Sequence, residues 1–525
     1  FEDNEEATCY NRREKSMRIC LVVPSITDFY FSPARMSALG ARSVCRLLEA
    51  AHHTIRFFNF PAEVKKPRTQ VLPQELNYLK PFLLNETGPV SFFTAYKRLG
   101  PLAAECANRV SALEPELVLI SSFAFAYADD TLTFARELYQ IAPSVPVAAG
   151  GAGPSVFPGK YLMGKGIDFV LSGEAEVNLL PFIDELQKRD PDFSSVPNLY
   201  TSDRNAIYAS ETRRITSSSD LDWVFCKERK SRGNITITSS ITRGCPRSCS
   251  FCSNHLCHGK PFRKVAIQKI ERKLSSVPQG ELVHLNFEDD NLLADPDYAK
   301  KVLALIRSWN PEVSFSAENG LDAGFLNDDL LDELISIGFN KLNLSLGSID
   351  AAILQDEKRS NFAARIAALC RQASERGIEA VTYFICGLQG DSPQSVRDNL
   401  VYLSDLETTI GISMYYPVPG LPGFEDLSRF LEIPSSICCG SSAYPWTGSL
   451  TTRQLVSSFR LARFINLTKN PAQAEIHRNL ITKTIAEKRL HTWEKSGAKH
   501  ERGRIAVPVP GMDDELVESV LKSCY

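Results

Sequence analysis

No apolar run in the 525-residue chain approaches the roughly 20 residues that cross a bilayer. The opening stretch FEDNEEATCYNRREKSMRIC is charged where a secretory signal would be apolar. Charge imbalance is lacking too: 59 Lys and Arg against 62 Asp and Glu leave a net −3, which gives no global attraction to nucleic acid or an anionic membrane. These absences give the expectation of a cytoplasmic protein, without a membrane span, that recognises its partners locally. Disulfides have little support. Of 14 cysteines, eight (Cys9, Cys20, Cys45, Cys106, Cys226, Cys370, Cys386 and Cys524) stand singly, many in apolar segments where a free thiol acts as a small core residue. The other six are the adjacent pair Cys438 and Cys439 and a cluster at 245–257, and in a reducing compartment such a cluster points to metal or catalysis.

The length exceeds what one core organises, since cores stop growing near roughly 250–300 residues. From residue 18, short β-rich runs (RICLVV, TIRFFNF, ELVLISS, VPVAAGG, IDFVLSG) alternate with helical patterns, which predicts a doubly wound, Rossmann-like α/β domain over 18–200 behind an N-terminal extension, 1–17. Ligands of such sheets bind beyond the carboxyl ends of the strands. That singles out Ser121 and Ser122, AGGAGPS at 149–155 and SGEAE at 172–176, where glycines admit a close backbone approach or serve as plain tight turns. Residues 201–233, polar and rich in Ser and Arg, read as a linker with room for a short hairpin. From 234 to 430, six further β/α units predict an incomplete TIM-like barrel, with its active face at the C-terminal strand ends. The last segment, 431–525, reads as a small, mainly helical region after a loop that carries Cys438, Cys439, Tyr444 and Trp446, candidates for a substrate pocket. Within it, residues 451–504 hold 12 Lys and Arg against 4 Asp and Glu, a local +8 read as a solvated basic face.

The stretch TRGCPRSCSFCSNHLC, 242–257, follows the first strand of the second unit. Cys245, Cys249 and Cys252 are spaced C-x3-C-x2-C, so one short loop can aim three thiolates at a common centre. Structural zinc wants four closed ligands, for which Cys257 or His255 would have to serve as the fourth. A [4Fe-4S] cluster normally takes four thiolates, so three leave one iron open.

With Phe251 before its last cysteine, this triplet resembles the signature of the radical S-adenosylmethionine enzymes, and the resemblance covers most of 233–420. It implies a cluster on Cys245, Cys249 and Cys252 whose open iron binds S-adenosylmethionine. It also implies cofactor contacts from Phe251, from Glu288, Asp289 and Asp290 in FEDDN, from Glu318 and Asn319 in SAENG, from Ser345, and from Gly387 in YFICGLQG. The same three acids also read as the N-cap and first turn of the following helix. YYPVPGLPGFED resembles the family's closing P-G-T segment, with Leu421 in place of the threonine.

The order of a doubly wound domain before such a barrel is similar to the cobalamin-dependent branch of that family. By this resemblance Ser121, Ser122, Gly150, Gly151, Gly153, Ser172, Gly173 and Glu174 line the corrin and its nucleotide tail. The D-x-H-x-x-G motif that gives other cobalamin domains a lower cobalt ligand is absent from this chain. The implied activity is methyl transfer to a carbon radical on a small-molecule, lipid or peptide substrate, with a rearrangement, cyclisation or oxidation as the alternative. Flavodoxin or ferredoxin is the implied electron donor. No catalytic acid or base is singled out. No second cysteine triplet and no β-rich RNA-binding appendage favour a nucleic-acid substrate.

Overall fold

The computed structural model describes residues 16–29, 38–64, 66–83, 90–92, 95–203, 206–215, 221–229, 234–469, 477–495 and 504–525. Cys9 and most of the N-terminal extension lie outside the described residues.

The first sheet has five parallel strands in the spatial order Thr54–Asn59, Arg18–Val23, Leu117–Ser121, Val147–Gly150, Phe169–Leu171. Numbered along the chain this is 2-1-3-4-5, the flavodoxin-like variant of the doubly wound fold. The strands read as continuous apolar runs because both faces are covered. Ile19, Leu21 and Val23 pack with Leu48 and Phe182 of the helices Leu39–Ala50 and Ala175–Leu186. Cys20 and Val22 share the opposite core with Val110 and Phe134 of the helices Ala103–Ser111 and Ala128–Ile141.

The stretch 201–233 is not free chain. Leu199–Asp203 and Ala206–Ala209 form an antiparallel hairpin that extends the first sheet, while Val224–Arg229 pairs antiparallel with Ile235–Ser240 of the second unit. Fully buried Trp223 fixes the join: its Nε1 donates to Ser239 Oγ at 2.6 Å and its carbonyl accepts from Arg46 Nη1 at 2.7 Å.

Six parallel strands then follow in chain order in two groups. Ile235–Ser240, Val283–Phe287 and Val313–Ser316 form one, and Lys341–Gly347, Glu379–Cys386 and Thr409–Met414 the other. The groups meet through the single bridges Phe315 to Phe339 and Leu321 to Leu344. No pairing closes the last strand onto the first among the described residues, so the arrangement is open, as six units rather than eight predict.

The C-terminal region adds the helices Thr452–Lys469, Arg478–Glu487 and Asp514–Cys524, together with an antiparallel hairpin, His491–Lys495 with Arg504–Pro508, that the helical reading had not included. Its positive charge is not all solvated. Arg460 is 0% exposed and donates to Phe82 O at 2.6 Å and Pro510 O at 2.7 Å, and Arg463 donates to Ser91 O. Lys469 donates to the carbonyls of Leu403, Leu406 and Thr408. Carbonyl oxygens accept from buried Arg460 and half-buried Arg463 and Lys469, which corrects the reading of this stretch as a purely solvated basic face. No described helix is long and apolar enough to cross a membrane.

Candidate functional site

One cavity of about 1120 Å³ lies between the carboxyl ends of the first sheet and those of the six later strands, and residues from both units line it. Drug-sized ligands occupy roughly 300–1,000 Å³, so this volume suits more than one molecule. Part of its wall is an apolar slot between the first sheet (Leu21, Leu119, Ala148, Leu171) and the two helices on that face (Val44, Leu179).

At the first-sheet end, Ser121, Gly150, Gly151, Gly173 and Glu174 all line the cavity. Gly151 has φ +105°, and a Cβ there would stand 2.6 Å from Ser122 O, so this turn demands glycine. Ser122, Gly153 and Ser172 do not line it, contrary to the sequence expectation. Ser122 Oγ instead contacts Tyr161 OH at 3.0 Å and accepts from Thr131, Gly153 N donates to Ser122 O, and Ser172 O accepts from Asn178. They hold the strand ends in shape. Ser155, the last residue of AGGAGPS, ties the glycine turns together: its hydroxyl donates to Gly151 O at 2.7 Å and accepts from Gly173 N at 2.8 Å.

The cysteine loop leaves the strand Ile235–Ser240 through a set of acid contacts. Asp289 Oδ1 accepts from Ile241 N at 2.9 Å, Thr242 N at 2.5 Å and Thr242 Oγ1 at 2.6 Å, and Asp290 Oδ2 accepts from Gly244 N at 2.7 Å. Burial, helped by the neighbouring charge of Asp290 and opposed by these hydrogen bonds, pushes the Asp289 carboxyl up to about 7. Neither acid lines the cavity; of the FEDDN triplet only Glu288 does. Asp289 and Asp290 therefore clamp the loop rather than face a ligand, and they do not cap the next helix, whose N-cap is Asp295. Gly244 (φ +85°) admits no Cβ, which would lie 2.2 Å from Pro261 O.

Cys249 is buried, Cys245 half-buried and Cys252 exposed. Asn291 Nδ2 donates to Cys245 Sγ at 3.5 Å, and Arg359 Nη1 donates to Cys249 Sγ at 3.6 Å. Arg247, inside the motif, is held by Asp322 at 2.7 Å and lies over the rings of Phe325 and Phe362. Among the described residues no three His, Cys, Asp or Glu side chains close on one point as ligands of a single ion do. A polynuclear cluster places its thiolates on different irons, and three spaced thiols served by sulfur-directed donors fit that need. Cys257 lines the cavity as a buried thiol pushed up to about 12 by burial, so it stays protonated.

Phe251 of the loop lines the same cavity, and across from it so do Glu318, Asn319 and Ser345, joined by Arg359, Tyr383 and Tyr416, which sequence reasoning had not singled out. Gly320, with φ +103° and a would-be Cβ 2.6 Å from Ser345 Oγ, lets the Glu318–Asn319 turn lie against the fourth strand of this group. Gly387 is not in the wall: its N–H goes to Asp391 and its carbonyl accepts from Thr447 Oγ1, while neighbours Tyr383 and Ile385 face the cavity. Cys438, Cys439, Tyr444 and Trp446 also stand outside it. Tyr444 packs edge-on against Tyr78 and beside Trp446, and burial pushes the Cys439 thiol up to about 12. Both histidines of the wall, His258 and His284, come from the second unit, so among the described residues no first-domain histidine faces the cavity.

Glu174 is in place but engaged. Its buried carboxylate meets Arg263 at 2.8 Å, Arg243 at 3.3 Å and His258 at 3.6 Å. Burial would raise its pKa, yet His258, Arg263 and Arg243 together bring it down to about 2.

Residues 239–403 match the family model for the Radical SAM superfamily, so the centre of the chain is a radical SAM domain. Its fold as a whole is shared with two cobalamin-dependent radical SAM enzymes. One is the methyltransferase TsrM from Kitasatospora setae (15% identity, 79% of this chain and 75% of that one, TM-score 0.58), whose structure holds cobalamin and a [4Fe-4S] cluster. The other is OxsB (11% identity, 80% and 56%, TM-score 0.52). Identities this low establish the fold alone. Among curated relatives, the bacteriochlorophyllide d C-12(1)-methyltransferase of Chlorobaculum tepidum is 24% identical over 241 residues, 44% of this chain and 52% of that enzyme. The hopanoid C-3 methylase of Methylococcus capsulatus is 22% identical over 337 residues, 62% of this chain and 64% of that enzyme. The chain thus spans about half the length of the first of these and under two thirds of the second.

Proposed function

We propose that the chain is a cobalamin-dependent radical S-adenosylmethionine methyltransferase acting on carbon. The observation that carries this reading is the shared cavity, whose wall takes Phe251 and Cys257 from the cysteine loop and the glycine turns of a flavodoxin-like sheet, although Cys245, Cys249 and Cys252 do not themselves line it. In this reading 18–200 is the cobalamin domain, 201–233 the connection, 234–430 the partial barrel and 431–525 the region that shapes substrate access.

When bound, the cofactors supply reductive cleavage of S-adenosylmethionine, hydrogen-atom removal from a substrate carbon and a methyl group from cobalamin. The chain's residues do the holding. Cys245, Cys249 and Cys252 would bind the cluster, with Asn291 and Arg359 donating to two of their sulfurs. Glu288, Glu318, Asn319 and Ser345 offer acceptors and donors for the amino, carboxylate and ribose groups of S-adenosylmethionine, and Phe251 lies beside them. The apolar slot of Leu21, Leu119, Ala148, Leu171, Val44 and Leu179 and the turns at Gly151 and Gly173 would hold cobalamin. Enclosure between two units keeps water away from reactive groups.

The substrate is a small molecule, lipid or peptide, electrons come from flavodoxin or ferredoxin, and free thiols throughout the described chain suit the reducing cytoplasm. The test needs no substrate: anaerobically reconstituted, brown protein is reduced with cobalamin and methyl-labelled S-adenosylmethionine. Label recovered on cobalamin is expected. Protein that contains iron and sulfide yet never labels cobalamin would favour a rearrangement, cyclisation or oxidation with the same cofactors. Colourless, iron-free protein overturns both.

A further inference from the structure

Four charged side chains and a histidine meet where the last parallel strand of the first sheet ends and the cysteine loop begins. Glu174 and Glu176 come from the first unit; Arg243, His258 and Arg263 come from the two flanks of the loop. Arg243 grips Glu176 with both nitrogens, Nη1 at 3.0 Å and Nη2 at 2.8 Å, and reaches Glu174 at 3.3 Å. Arg263, 3% exposed at its side chain, binds Glu174 at 2.8 Å and also donates to the carbonyls of Ile215 and His258. A fully buried carboxylate without partners would be costly, so Glu174 ties the two units together only while these cations stay in place.

The cluster sits in a continuous line of contacts between the two halves of the cavity. On one side Glu174 follows Gly173, whose N–H is taken by Ser155, whose hydroxyl holds Gly151 O. On the other, Arg243 is followed by Gly244 and Cys245, and Gly244 is pinned by Asp290. Gly151, Ser155, Gly173, Glu176 and Arg243 all line the cavity.

Resting on the functional reading above, we propose that Arg243 is a positioning residue that couples the two cofactor sites. Cobalamin seated on the Gly151 and Gly173 turns and a cluster assembled at Cys245 favour the same placement of the loop against the first domain. Each therefore strengthens binding of the other by one common factor, as linkage requires. A fork with two parallel bonds transmits position in a way a lysine cannot, because lysine offers a point charge.

The test titrates hydroxocobalamin into the full chain with and without a reconstituted cluster, followed by absorbance, and separately times iron loss to a chelator with and without hydroxocobalamin. In the unaltered chain the cluster is expected to tighten cobalamin binding at least about fivefold, and bound hydroxocobalamin to slow iron loss. Arg243→Met is expected to bring the ratio close to one while the protein still takes up iron. If that variant fails to fold, Arg243→Lys, which keeps the charge, is expected to give a ratio between the two, and the swap Arg243→Glu with Glu176→Arg to recover part of it. A ratio of one in the unaltered chain, or an unchanged ratio in the Arg243 variants, overturns the inference and leaves the functional reading intact. An unaltered chain that takes up a cluster but no cobalamin overturns both.

Discussion

Arg359 Nη1 donates to Cys249 Sγ at 3.6 Å while its Nη2 donates to Ser345 O at 2.5 Å, so one guanidinium joins the cysteine loop to the strand that crosses the cavity from it. A cation beside a sulfur favours the thiolate and stabilises added negative charge on whatever the sulfur binds. Arg359→Gln is expected to make the reconstituted cluster harder to reduce and to lower S-adenosylmethionine cleavage about 10- to 100-fold. Redox titration followed by EPR checks the first, and 5'-deoxyadenosine yield the second. An unchanged midpoint potential would remove the electrostatic role.

Asp289 acts as an acceptor, its carboxyl pushed up to about 7 by burial. Its Oδ1 takes three hydrogen bonds and its Oδ2 has no partner. Asp289→Asn keeps the acceptor and is expected to cost under about 1 kcal/mol, whereas Asp289→Ala leaves buried donors unmet at about 1–3 kcal/mol each. The pH dependence follows from the raised carboxyl, 3.8 unfolded and about 7 folded. Between those values the unfolded chain ionises and the folded one does not, so this residue's contribution to stability falls as pH rises toward 7 and is level above it. Melting of the apo-protein at pH 5 and pH 8 tests this: the fall should be smaller in Asp289→Asn than in the unaltered chain.

Gly244→Ala should fold poorly around the cysteine loop, because its Cβ would fall 2.2 Å from Pro261 O at a φ of +85°. Iron per chain after reconstitution is expected to drop several-fold, with the far-UV spectrum unchanged. Normal iron uptake would mean that the loop finds another path.

Cys245→Ala, Cys249→Ala and Cys252→Ala should each abolish the brown colour, while Cys257→Ala should retain full iron and sulfide. Iron and sulfide assays decide it. Loss of iron in Cys257→Ala would bring the fourth thiol back as a ligand.

The sequence was most legible where chemistry is local. Cys245, Cys249 and Cys252 are separated by three and two residues, and the glycine turns at 150–151 and 173 end recognisable strands. It was less legible for FEDDN, where all three acids fit a ligand role equally well. The strand ends at Phe287, and the turn that follows leaves Glu288 in the cavity wall and Asp289 buried against Ile241 and Thr242. Arg359 carries no motif and lies 110 residues beyond Cys249, so nothing local marks it. Arg243 stood in the quoted stretch, two residues before Cys245, but its partners Glu174 and Glu176 lie in the other unit.

What the sequence determined by itself is the cysteine motif and the class of fold: three closely spaced thiols on one loop, and apolar runs whose periods can be buried as α/β layers. What only the tertiary structure decided is how the two units face each other. That includes which face of each acid meets solvent, that Glu174 is claimed by two arginines and a histidine, and that Gly387 turns away from the cavity. The reason is physical. Backbone propensity and hydrophobic period act over a few residues, whereas burial and charge pairing depend on neighbours that the chain brings together from hundreds of residues away.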